Sequence, residues 1–294
     1  MKKICSLLMT LILTITLSAQ DVTKNYNVSS FTGIDAGGVF DITLTKGVSH
    51  SVAIISDKEL LPYVEVNVKN GMLYLELDTD KMPVTLKRKM KYIKANISTP
   101  QLERINLSGA AKLISSGKFN PQSFKGDFSG AVSAKGLDIK SETATIVASG
   151  ASRLEIAGNF QTVKYDISGA SNVTIEQDAA DVKLGGSGAS VMAYSGKSSR
   201  VDVSVSGATN MKMKGSASNA VFEASGASVL DAENFEVKDV EIEASGVSNI
   251  RTKVTGSISA EISGGSVVRY LGSPVMKKVE TSSQGSIKRI GEAR

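Results

Sequence analysis

Beyond residue 20, apolar and polar residues alternate along nearly the whole chain, and Ser-Gly-Ala or a close relative interrupts the alternation at regular intervals. In one such unit Val163, Tyr165 and Ile167 are separated by Lys164 and Asp166. The turn Ser168-Gly169-Ala170-Ser171 follows, and Val173 and Ile175 then resume the alternation. A period of two predicts strands with one buried face. The glycine predicts a tight turn, where positive φ or close backbone approach excludes a side chain.

The turn glycines are Gly109, Gly130, Gly150, Gly169, Gly188, Gly207, Gly226, Gly246 and Gly264, with successive gaps of 21, 20, 19, 19, 19, 19, 20 and 18 residues. A fixed period of this size marks stacked supersecondary units. Four residues after each glycine stand Leu113, Ala134, Leu154, Val173, Met192, Met211, Leu230, Ile250 and Val268. The positions two and four residues before each glycine are likewise small or apolar. Equal position implies equal environment, so the fold class is all-β. We expect a parallel β-helix with one coil per repeat, each of two short strands and two tight turns, stacked roughly 4.8 Å apart. A second glycine, as at Gly117, Gly136, Gly158, Gly196, Gly215, Gly256 and Gly272, is expected to close the far end of each unit. A meander of antiparallel hairpins gives the same period, but the unchanging inward register favours the solenoid. Nine or ten coils would span roughly 45 Å at that spacing. No segment with a helical period follows residue 19.

Residues 20–100 are less periodic. Phe31 to Thr45 alternates and ends on Lys46-Gly47. Val64 to Leu77 reads as a hairpin about Asn70-Gly71. Tyr92 to Ser98 leads through Pro100 into the repeats. The predicted organisation is a targeting segment (1–19), an N-terminal β-rich part of the solenoid with a cap (20–100), and the repeat region with a C-terminal cap (101–294). Residues 20–294 form one continuous domain, with a last coil at Tyr270 to Pro274 and capping residues from Ser282 to Ile290.

The targeting segment carries Lys2 and Lys3, an apolar run from Ile4 to Leu17 and a small-residue cleavage site at Ser18-Ala19. It is short for a membrane span. The expected destination is the periplasm, the outer-membrane surface or the exterior, with no span left after cleavage. The single cysteine, Cys5, lies in this segment, which removes disulfides, thiol chemistry and cysteine-based metal sites from the rest. Without Lys2 and Lys3 the formal charge falls from +5 to +3, which does not suit a nucleic-acid binder. There is no Trp, so the core must be small and aliphatic.

Candidate chemistry is sparse. His50, the one histidine, lies in the polar stretch G-V-S-H-S and reads as a solvated loop residue. No nucleophile elbow, phosphate loop, dinucleotide fingerprint or zinc motif is present, so neither a catalytic nor a cofactor site is expected. Glu223, Glu243 and Glu261 each stand three residues before a turn glycine, with Glu241 beside them. Stacked, they would form a carboxylate ladder that attracts a cation such as Ca²⁺, or a solvated face offset by lysines. The run Lys87-Arg88-Lys89-Met90-Lys91-Tyr92, flanked by Lys81 and Lys94, suits either an anionic polysaccharide or lipid headgroup, or a charged edge that resists strand addition.

Four features together resemble the head GIN domain family of secreted bacterial auto-transporter adhesins. They are F-T-G-I-D-A-G-G-V-F-D-I-T-L-T-K-G from Phe31, the V-K-N-G-M-L-Y-L hairpin, I-S-T-P-Q-L-E-R-I-N-L-S-G-A, and the S-G-A-S repeats. The resemblance covers roughly residues 28–290. It implies a right-handed β-helix like that of pectin lyases but without a catalytic constellation, a role in adhesion, and a Gram-negative, Bacteroidetes-like envelope. The expected function is therefore an exported, non-catalytic binding protein that presents polar ladders to a cell-surface glycan or protein. The alternatives are a divergent polysaccharide lyase or hydrolase, and a ligand-free envelope scaffold.

Overall fold

The computed structural model describes residues 21–90, 92–282 and 284–291; the expected targeting segment lies outside them. The protein is nearly all β, a solenoid of about 10 turns. Seven long strands form its body: β12 (Ser133–Ala148), β13 (Arg153–Ile167), β14 (Asn172–Gly186), β15 (Val191–Val205), β16 (Asn210–Ala224), β17 (Val229–Ala244) and β18 (Asn249–Ile262). Each runs from one Ser-Gly-Ala turn to the next and pairs in parallel with its neighbours. Leu154, Val173, Met192, Met211, Leu230 and Ile250 stack in one column, all buried.

The two ends of a coil are built differently. In β14 the buried positions are Val173, Ile175, Gln177 and Ala179, then Val182, Leu184 and Gly186. The alternation slips at Ala180–Asp181, so the second corner is a bend inside a continuous strand. Gln161 and Ser199 occupy the same place in adjacent coils, skipped by the pairing. A second glycine stands at this corner at Gly256, in the skipped place before Ser257, but not at Gly158 or Gly196. Gly158 and Gly196 lie three residues before it, and Gly196 is needed because a Cβ there would fall 1.5 Å from the Gln177 carbonyl oxygen.

The Ser-Gly-Ala end is a true turn. Every predicted turn glycine has φ between 64° and 90°. The turns also hydrogen-bond along the axis, as in Ala170 N–H to Gly150 O (2.7 Å) and Ala189 N–H to Gly169 O (2.8 Å). At the five turns from Gly150 to Gly226 a residue that the alternation alone does not reveal closes the turn from inside. Ser152, Ser171, Ser190, Thr209 and Ser228 are buried, two residues after the glycine. Each hydroxyl donates to the carbonyl three residues earlier, at 2.7–2.9 Å. A buried hydroxyl needs such an acceptor. A second polar group inside the core is the Tyr165 hydroxyl, which donates to Gln177 Oε1 at 2.5 Å. Burial pushes its pKa well above the ordinary tyrosine range.

At the N-terminal end the order of coils differs from the order of the chain. The elements there are β1 (Asp21–Tyr26), β2 (Gly33–Ala36), β3 (Phe40–Lys46), β4 (Ser51–Asp57), β5 (Val64–Lys69), β6 (Met72–Leu77), α1 (Val84–Lys89) and β7 (Ile93–Thr99). Next come β8 (Arg104–Leu107), β9 (Lys112–Ser116), β10 (Lys118–Phe119) and β11 (Ser123–Phe128). β2 lies between β6 and β8, and β3 between β7 and β9. The coil of residues 33–46 is thus inserted between that of 72–99 and that of 104–116. Antiparallel strands cover the outer end: β4 on β7, β1 on β4, and β5 on β6 through Asn70-Gly71, both at positive φ. Contrary to the sequence expectation a helix does form. Pro83 precedes α1, whose six residues lie in the excursion that replaces the Ser-Gly-Ala turn of the outermost coil.

The ladder continues past Pro274. β19 (Val267–Leu271) and β20 (Val275–Thr281) both lie on β18, and β21 (Ser286–Arg289) on β19. Residues 286–289 therefore extend the stack. Lys277 is bulged out of the β18–β20 pairing, and all seven residues of β20 are exposed. A bulge and edge lysines are common devices that blunt an open strand.

Candidate binding face

Parallel register converts each outward position into a column along the axis. Three residues before the turn glycine, the column reads Asp166, Gly185, Ser204, Glu223, Glu243, Glu261 and Glu280. Two residues earlier on the same strands stand Lys164, Lys183, Asp202, Val221, Glu241, Ser259 and Lys278. One face of the solenoid thus passes from mixed charge to an acidic stripe towards the C-terminal end.

The structure stacks Glu223, Glu243 and Glu261 side by side as the spacing predicts, and adds Glu280. The sequence gives no cue for Glu280, because residue 283, where the repeat would place a turn glycine, is serine. Carboxylates one strand apart repel. Lys278 answers part of this, with Nζ 2.7 Å from Glu261 and 3.3 Å from Glu280. Those two carboxylates, Glu261 first, raise the Lys278 pKa. Among the described residues no three His, Cys, Asp or Glu side chains group closely enough to hold a metal ion. The glutamates lie along a line instead of around a point.

Two cavities follow this face. One of about 570 Å³ runs along the glutamates and is floored by Ser225, Ser245 and Ser263. A second of about 360 Å³ lies beside Gly185 and is walled by Lys164, Lys183, Arg200 and Asp202. They share Ser204 and Glu223, so they form one trough along the axis. Arg200 Nε holds Asp202 at 2.9 Å, whereas Lys164 reaches Asp166 only at 3.9 Å. Lys183 has no ion-pair partner among the described residues.

The other sequence candidates lie away from this trough. His50 is not freely solvated: its ring stands 4.8 Å from that of Phe31, and Nδ1 is 3.2 Å from the buried Thr99 hydroxyl. That hydroxyl is 2.9 Å from the Gln101 carbonyl, so His50 is a packing residue that fixes the β3–β4 connection. Lys87 and Arg88 are exposed on α1 at the N-terminal end, in a helix and not in an edge strand. The side chain of Lys89, and Lys91, lie outside the described residues. No described helix is long and apolar enough to cross a membrane.

The fold has solved counterparts. A putative adhesin from Parabacteroides merdae ATCC 43184 superposes with a TM-score of 0.51 at 16% identity, over 92% of this chain and 96% of the other. A putative adhesin from Parabacteroides distasonis ATCC 8503 gives 0.52 at 14% identity, over 92% and 98%. At such identities the likeness is one of fold. No sequence among curated proteins matches this one. The family profile described as "Putative auto-transporter adhesin, head GIN domain" matches residues 30–177 and again 171–274, and the chain, matched over most of its length, belongs to that family.

Proposed function

We propose that the protein is an exported, non-catalytic adhesin-type module that binds a cell-surface glycan along the outer face of its solenoid. The observation that carries this reading is the trough, in which charged and hydroxyl side chains recur in parallel register from β13 to β20. An extended, repeating ligand suits an extended, repeating surface, and with contacts spread over several coils no single substitution should abolish binding. Family membership supports a surface or secreted adhesin role, and the basic and apolar segment before Gln20 supports export.

A screen of purified protein against immobilised glycans, with and without Ca²⁺ and with chromatography of any retained glycan, tests the reading. The expected result is retention without shortened products. Retention only with Ca²⁺ would assign a cation to the Glu223, Glu243, Glu261 and Glu280 ladder. Shortened products would transfer the protein to the lyases or hydrolases, and a blank screen would contradict the glycan reading.

A further inference from the structure

We propose that the notch floored by Gly185 is the principal sugar subsite of the trough and takes one ring of a neutral, hydroxyl-rich glycan; the proposal rests on the glycan-binding reading above. Gly185 is unlike the other strand glycines. Each of those among the described residues either has positive φ or would place a Cβ within 3.0 Å of a neighbouring atom. Gly185 has neither constraint. A Cβ there would meet Tyr165 O at 3.4 Å and Asp166 Oδ1 at 3.9 Å, both ordinary contacts. The fold has room for a side chain and the strand would be better for one, because glycine weakens a strand interior. A strand glycine that packing does not require marks a place where something else approaches the backbone.

What surrounds the notch fits a sugar ring. Gly185 and Ser204 are consecutive small residues in a column bounded by Asp166 and Glu223, so the gap is two strands wide. Its floor is the flat pleat at Leu184 and Val203, whose side chains point inward. Asp166 supplies an acceptor, Lys183 an uncommitted donor and Ser204 a hydroxyl that serves as either. Asp202 is already oriented by Arg200 at 2.9 Å. Alternating donors and acceptors match the vicinal hydroxyls of a pyranose. Around the notch Lys164, Lys183 and Arg200 offset Asp166, Asp202 and Glu223, so the charges balance, which is why the class is neutral. The cavity of about 360 Å³ lies in the range of small-molecule sites. Its opening at Ser204 and Glu223 lets further rings continue along the axis.

The test is calorimetric titration with linear hexasaccharides of β-linked glucose, mannose and galactose, and with hexagalacturonate as the acidic comparison. Gly185→Thr fills the notch with an outward, strand-favouring side chain. The expected result is at least tenfold weaker neutral-glycan binding with an unchanged or raised Tm. Lys183→Met, which leaves the backbone untouched, should weaken binding several-fold. Undiminished binding by both variants would overturn the subsite while the glycan reading stands. Binding of hexagalacturonate in preference to the neutral oligomers would overturn the ligand class. If the unaltered protein binds none of the four, the subsite and the glycan reading fall together.

Discussion

Gly169→Ala is expected to destabilise the protein by about 3–4 kcal/mol, although it adds one methyl group at an exposed turn. Two effects combine. The residue sits at φ 73°, where an L-residue other than glycine costs on the order of 1–2 kcal/mol. The added Cβ would also lie 2.4 Å from the Gly150 carbonyl oxygen, which is backbone and cannot rotate away. That carbonyl accepts the Ala170 N–H, so relief of the clash stretches the ladder at the turn. The neighbouring turns are built the same way, and a shift in one coil meets the next glycine a strand away. Gly185→Ala provides the control. It adds the same methyl group on a strand with ordinary φ and no close atom, and should be neutral or stabilising by about 0.5–1 kcal/mol. Thermal unfolding of both variants beside the parent checks the pair. Equal losses would refute the stacked-turn account.

The second large effect is expected at Phe222. The ring is fully buried in the column that also holds Val203 and Ile242. Phe222→Ala should cost about 3–5 kcal/mol, the usual range for such a truncation in a core that cannot collapse. Collapse is hindered because both flanking strands are fixed by parallel pairing over fourteen and thirteen residue pairs. Val279 ends the same column but is 37% exposed on the open last coil. Its truncation should cost less than about 1 kcal/mol. Denaturant titration should show this gradient, and amide exchange should show coils near Phe222 opening first in the variant. Equal costs at the two positions would mean that the column is not a continuous core.

Much of the fold is legible in the alternation because a solenoid repeats one local environment. The columns headed by Leu154 and Tyr165 face inward as their spacing requires, and the turn glycines occupy the one φ region that favours them. The features that escape the pattern do so for particular reasons. Ser171 is polar by composition but buried, since the carbonyl of Ser168 satisfies its hydroxyl; hydropathy alone registers it as outward. The second corner at Gln161 and Ala180 has no residue signature because a bend within a paired strand needs no special φ. Insertion of the 33–46 coil between two later ones is a matter of long-range pairing. Its one local trace is Gly38, at φ 90°, directly against Gly109 in the glycine stack. α1 is too short to show a helical period.

The candidate face was legible only in part. The glutamate column followed from the repeat spacing as far as Glu261 and stopped where the repeat lost its glycine. The Gly185 notch was hidden for the opposite reason: in a chain with 27 glycines, one more attracts no notice until the space around each is known.

The solenoid is expected to bind an extended ligand along its axis and to leave it unchanged. Calorimetric titration with a length series of neutral β-linked hexose oligomers, from two to eight rings, followed by chromatography of the recovered sugar, tests this most directly. The expected result is affinity that climbs with each added ring until the trough is filled, and oligomers recovered at their original length. Equal affinity for the dimer and the octamer, or recovery of shortened chains, would contradict it.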